Sequence, residues 1–175
     1  MMTKPYPGLR EGDVITNTFP LKFKEHAFSS RCYNTIGCKV LYANVYDTIH
    51  EKDEVSPPPP TNYPNNLNGS GGIIGIINFP PPAIVTWRSL DGVAHEAKID
   101  IGSIFRDQHV LHHVPEQDIP TETAAFSGVD IILVVNDRTI NVYMKTTIAL
   151  KAPRNPSNPL SNSVHETNLA YSHTY

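Results

Sequence analysis

Residues 105–118, FRDQHVLHHVPEQD, hold three histidines and three carboxylates within fourteen positions. Such a run is raw material for a metal centre, for acid–base chemistry, or for a polar edge that another molecule reads. Local geometry weighs against the first. If residues 108–114 are extended, His109 and His113 share a face but stand roughly 13 Å apart at about 3.3 Å per residue. His112 then points the other way. Ligand bonds near 2.1 Å cannot close that span. On a helix the two would be neighbours, but the flanking Val110, Leu111, Val114 and Pro115 favour a strand. The expectation is no metal and no cofactor. Asp107, His109, His112, His113, Glu116 and Asp118 are then either a solvated strand and turn or a hydrogen-bonding edge that meets a partner.

A second polar group lies upstream, in Asp47, Glu51, Asp53 and Glu54. Clustered carboxylates steer a basic partner toward a surface, although a charged loop is as often merely solvated. Nucleophilic chemistry has no signature here. There is no Gly-x-Ser-x-Gly elbow, and Ser70 in NGSGG leads into an apolar strand rather than a helix. The same glycines lack the Lys-Ser/Thr of a phosphate loop. Asn68-Gly69-Ser70 matches a glycosylation triplet, a pattern frequent by chance. Trp87, the only tryptophan, alternates with Val85 and reads as a core anchor. No catalytic residue is assigned, and the chain is not expected to be an enzyme.

The elements that would position these groups are strands. The 175 residues suit one domain with a single core, taken as 1–175. A net charge of -3 argues against nucleic acid or an anionic membrane as partner. Sixteen prolines make long helices unfavourable. Residues 39–50, KVLYANVYDTIH, alternate as one strand. Residues 51–72 run acidic, then polyproline, then glycine-rich, and read as a long surface loop that contributes nothing to a core. GGIIGIINF and PPPAIVTWRS follow as two apolar strands. Asp91-Gly92 marks a tight hairpin, and Asn136-Asp137 a second. Before that second turn Val129, Ile131, Leu133 and Val135 line one face and Ile132 and Val134 the other, so the strand is buried on both sides. After it, Ile140, Val142 and Met144 alternate with Thr139, Asn141, Tyr143 and Lys145 in a half-exposed pattern. Residues 152–175 read as coil. About seven strands and no helix longer than two turns imply an all-β chain, an antiparallel β-sandwich, with a partly open barrel as the other option. Cys32 and Cys38 form a small disulfide loop in an oxidising compartment or two free thiols otherwise.

Residues 82–151 carry a resemblance. The Trp87, Ser89, Asp91, Gly92 hairpin, the Ile99-Asp100-Ile101 strand end and the Asn136-Asp137-Arg138-Thr139 turn with Val142-Tyr143-Met144 resemble a family of small exported bacterial proteins. These are the β-rich immunity proteins, often lipoproteins, encoded beside phospholipase effectors of the type VI secretion system. The resemblance implies a periplasmic protein that binds and inhibits a cognate phospholipase and catalyses nothing. Family members begin with a secretion or lipoprotein signal, whereas MMTKPYPGLREGD lacks an apolar core of that kind. The doubled methionine is compatible with a trimmed start or a native one. Association of the chain with itself stays open. Two other classes are carried beside this one. A carbohydrate- or surface-binding sandwich would need exposed aromatics, with Tyr33, Tyr42, Tyr46 and Tyr63 as candidates. A small hydrolase would need His112 or His113 beside a carboxylate and a nucleophile.

Overall fold

The computed structural model describes residues 16–68 and 72–175. Gly69, Ser70 and Gly71 of NGSGG and the opening MMTKPYPGLREGD therefore lie outside the described residues. Nine strands are found among the rest: β1 Glu25–Tyr33, β2 Thr35–Tyr42, β3 Val45–Ile49, β4 Ile73–Ile77, β5 Ala83–Ser89, β6 Ala94–Ile99, β7 Phe126–Asn136, β8 Thr139–Ala149 and β9 Ser163–Thr174. They form a five-stranded sheet, β4-β1-β7-β8-β9, packed on a four-stranded sheet, β3-β2-β5-β6. A four-residue helix, α1 (Ile101–Ile104), is capped by the Asp100 carboxylate on the Ser103 N–H.

The all-β sandwich is as expected, with corrections of detail. Pairing is not wholly antiparallel, because β1 and β7 run parallel from Ala27–Asp130 to Tyr33–Asn136. The segment 39–50 is not one strand. It folds back at Ala43 and Asn44, both at positive φ (50° and 62°), which is the geometry of a two-residue hairpin turn. Residues 163–174 are not coil but strand β9, paired with β8 from Ala149–Ser163 to Thr139–Thr174. The coil reading holds only for the Pro- and Asn-rich segment 152–162.

Between the sheets lie Phe28, Val40, Tyr42, Val85, Trp87, Ile131, Leu133, Ile140, Val142 and Met144, all essentially inaccessible. β7 is buried on both faces, since Ile132 and Val134 are covered too. Their cover is the long loop. Tyr63 and Leu67 pack on Ile132, Val134 and Tyr143, and the Tyr63 and Tyr143 hydroxyls hydrogen-bond at 2.7 Å. Residues 51–68 thus add a third layer with its own small core, contrary to expectation, and Tyr143 is buried rather than half-exposed.

Local chemistry fixes the crossing between sheets. The chain passes from β1 to β2 through Asn34 at φ 51°, and a disulfide joins Cys32 to Cys38 across that corner. Closing a loop this short stabilises by about 2 kcal/mol in the chain-entropy account. The two predicted turns dock onto each other from opposite sheets. The Trp87 indole N–H donates to the Asp137 carbonyl at 2.7 Å, the Leu90 N–H donates to the Asp137 carboxylate at 2.9 Å, and Arg138 pairs with Asp91.

Candidate interaction surface

The acidic group of residues 47–54 sits on the flank formed by β3, and much of its charge is engaged. β4 pairs with β1 only as far as Phe28, so the next stretch of β1 has an open edge. There the Ser30 N–H and hydroxyl both donate to the Asp47 carboxylate, at 2.6 and 2.5 Å, and Arg31 donates to the Ser30 carbonyl. Asp47 is therefore a tie between the two sheets. The turn that follows is built by Glu51 and Glu54, each bonding to the other's segment: the Glu54 N–H donates to the Glu51 carbonyl, and the Glu51 N–H to the Glu54 carboxylate. Asp53 pairs with Arg88 at 3.0 Å.

This turn is clamped to β2 and β5. The Gly37 N–H donates to the Glu54 carbonyl, Arg88 donates to the Lys52 carbonyl at 2.6 Å, and Val55 bridges to Ile36. Gly37 sits at φ 58°, and a Cβ there would lie 2.6 Å from the Lys52 carbonyl oxygen. Only glycine admits both the conformation and the approach. Around this fixed acidic turn the same flank exposes Val45, Tyr46, Ile49 and Val55. Apolar side chains rimmed by charge, on a backbone already held in place, have the make-up of a protein-binding surface. Sequence reading missed the apolar half because the hairpin at Ala43-Asn44 was read through; Asn44 was the available signal.

The stretch 105–118 lies elsewhere. It is not a strand but a strap running from the foot of β1 to β9. His109 forms a lone bridge with Lys22, and the Phe23 N–H donates to the Gln108 carbonyl. The Leu111 N–H donates to Met144 Sδ, Asn168 donates to the Leu111 carbonyl, and the His113 N–H donates to the Glu166 carboxylate. The strap covers the part of β8 and β9 that the smaller sheet leaves open, which explains its mixture of apolar and polar residues. His113 also faces Glu166 through its ring at 3.2 Å, and Nδ1 of His112 is buried with no partner. Asp107, Glu116 and Asp118 are exposed. The structure thus divides the predicted surface residues into two sets. Asp47 lies against β1, and Glu51, Asp53 and Glu54 form the turn clamped to β2 and β5; Asp107, His109, His112, His113, Glu116 and Asp118 lie along the strap toward β9. Among the described residues no three of His, Cys, Asp and Glu converge as metal ligands.

Other polar groups complete the survey. Ser89 Oγ lies 2.9 Å from Nε2 of His95, a serine–histidine contact that sequence reading did not anticipate. Ser89 is fully buried and its hydroxyl also bonds Asp91, so the contact locks the hairpin and offers no access to a substrate. A cleft of about 190 Å³ opens on the far face of the larger sheet between Glu25, Ala27, Gly75 and Asp130. Burial pushes the Asp130 carboxyl above the usual carboxylate range, and Lys145, its neighbour across β8, opposes that. The aromatic platform for a glycan does not assemble. Tyr42 is buried, Tyr33 and Tyr63 pack in the small core, and Tyr46 remains exposed on β3. Comparison with family models, curated proteins and solved structures returned no match.

Proposed function

We propose that this chain is an exported binding protein that attaches stoichiometrically to a secreted phospholipase effector, of the kind delivered by type VI secretion, and blocks it. The observation that carries the reading is the β3 flank, where exposed Val45, Tyr46, Ile49 and Val55 adjoin a clamped turn bearing Glu51, Asp53 and Glu54. An acidic rim suits a partner with a basic mouth, the character expected of an enzyme that approaches anionic lipid. The Cys32–Cys38 bridge supports placement in an oxidising compartment such as the periplasm. The resemblance over residues 82–151 supplies the class of partner. Its hairpin motifs hold the two sheets together and leave the β3 flank free to bind.

Rim and centre should separate kinetically. Replacing Asp53 and Glu54 with Lys should slow association with the phospholipase and flatten its dependence on salt, because rim charges act through steering. Tyr46→Ala should instead speed dissociation by about tenfold or more, as loss of a central aromatic anchor does. Surface plasmon resonance on the purified pair reads both. Unchanged rates in both variants, with a complex still formed, would move the interface off β3.

A further inference from the structure

We infer that the Cys32–Cys38 bridge is a redox switch for the acidic turn: residues 50–57 keep their fixed shape only while the bridge is closed, and its reduction releases them from a sandwich that stays folded. This goes beyond the phospholipase reading and does not depend on it.

The residues enclosed by the bridge are the ones that hold the turn. The Asn34 N–H donates to the Pro57 carbonyl at 3.1 Å, the Gly37 N–H to the Glu54 carbonyl at 3.0 Å, and the Ser56 N–H to the Thr35 carbonyl at 2.8 Å. Cys38 itself accepts from the His50 N–H at 2.8 Å. Ile36 bridges to Val55, and Thr35 meets Ser56 Oγ through both its N–H and its hydroxyl. Among the described residues, the remaining polar tie to the turn is the Arg88 side chain, on the Lys52 carbonyl and the Asp53 carboxylate. Packing adds little. Of residues 51–57 only Ser56 is buried, and Val55 is 59% exposed. A segment held by hydrogen bonds without buried apolar surface opens at low cost once its partners can move.

The bridge is what keeps those partners from moving. The ladder between β2 and β5 is interrupted between Ile36 and Lys39, and pairing of β2 with β3 begins only at Lys39. Gly37 and Cys38 therefore lie in a gap that strand pairing does not fix. The bond to Cys32 anchors them instead, because Cys32 is set in β1 opposite Val135 of β7. Opening the bridge frees the gap and leaves the β7–β8 ladder, from Phe126–Ile148 to Asn136–Thr139, untouched. Closure passes two electrons and two protons from the two thiols to a disulfide-bearing oxidant, which leaves as a dithiol; a dithiol reductant reverses the step. A chain made under reducing conditions thus carries an unfinished acidic turn and completes it in an oxidising compartment.

Hydrogen exchange followed by NMR provides the test, on the oxidised protein, on protein reduced with dithiothreitol, and on the double variant Cys32→Ala/Cys38→Ala. Cys38 is fully buried, so the double variant gives the open state independently of reductant access. In the bridge-free forms the amides of Gly37, His50 and Ser56 should exchange about tenfold faster or more, relative to those of β7 and β8. Circular dichroism should keep its β spectrum. Turn amides that stay protected without the bridge overturn the inference. So does acceleration of turn and β7–β8 amides by one common factor, or loss of the whole fold, because the bridge then braces the sandwich and not the turn.

Discussion

His26 shows how one buried side chain ties function-neutral chemistry to stability. Its Nδ1 lies 2.6 Å from Asn78 Oδ1, and its Nε2 lies 3.0 Å from the Tyr42 hydroxyl. The Asn78 amide nitrogen is used by the Phe23 carbonyl, so Asn78 accepts from His26, and Nε2 accepts from Tyr42. Burial of Tyr42, helped by the charge of Asp100, raises its phenol above the usual tyrosine range, so that donor is kept. Only the neutral imidazole satisfies this chain. Burial accordingly lowers the His26 pKa from the ordinary 6.5, and the Asn78 bond only partly offsets that. The unfolded chain takes up the proton near pH 6.5 while the native one does not. Stability from this group is therefore complete above 6.5 and declines as pH falls toward the lower native value. Thermal melts from pH 7.5 to 5.0 should show the decline, and His26→Gln, which cannot titrate, should flatten it. An equal slope in both proteins would show that His26 takes its proton freely in the fold. At this same scale Asp47 is instructive. In sequence it is one of four loop carboxylates, yet it serves as a tie between sheets, because only the paired fold reveals that β1 has an orphaned edge at Ser30.

Among the elements, β7 was the most legible. Its residues are apolar on both faces, and a strand so built has to be covered twice, by the opposing sheet and by Tyr63 and Leu67 of the loop. Leu133→Ala should cost about 2–5 kcal/mol, a cavity penalty at a fully enclosed site, read as a shift in the urea midpoint. A loss below about 1 kcal/mol would mean the inter-sheet space collapses around the deletion. The turns at Asp91-Gly92 and Asp137 were equally readable, since glycine and aspartate are chosen by turn geometry. What escaped reading escaped for physical reasons. β9 is polar on most positions because it lies at an edge, and its stability comes from backbone bonds to β8, which carry no sequence pattern. The strap 105–118 reads as a strand because it packs alternately on Met144 and on solvent, while its backbone bonds go to Leu21, Phe23, Glu166 and Asn168. The loop 51–68 has the composition of a solvated segment, and two side chains suffice to dock it.

For the molecule as a whole, two sheets, a disulfide at their crossing and a clamped acidic turn amount to a rigid frame that presents one flank. A turn held in place before any contact would leave little ordering to be done in the proposed complex. The strap and β9 finish the far side of the sandwich. Inhibition by binding at β3, as proposed, is tested by titrating the purified protein into its cognate phospholipase and following lipid hydrolysis. Hydrolysis should fall linearly to a floor at one chain per enzyme, and Tyr46→Ala should shift that titration to higher concentration. Undiminished hydrolysis at excess protein, with no complex on size exclusion, would contradict it.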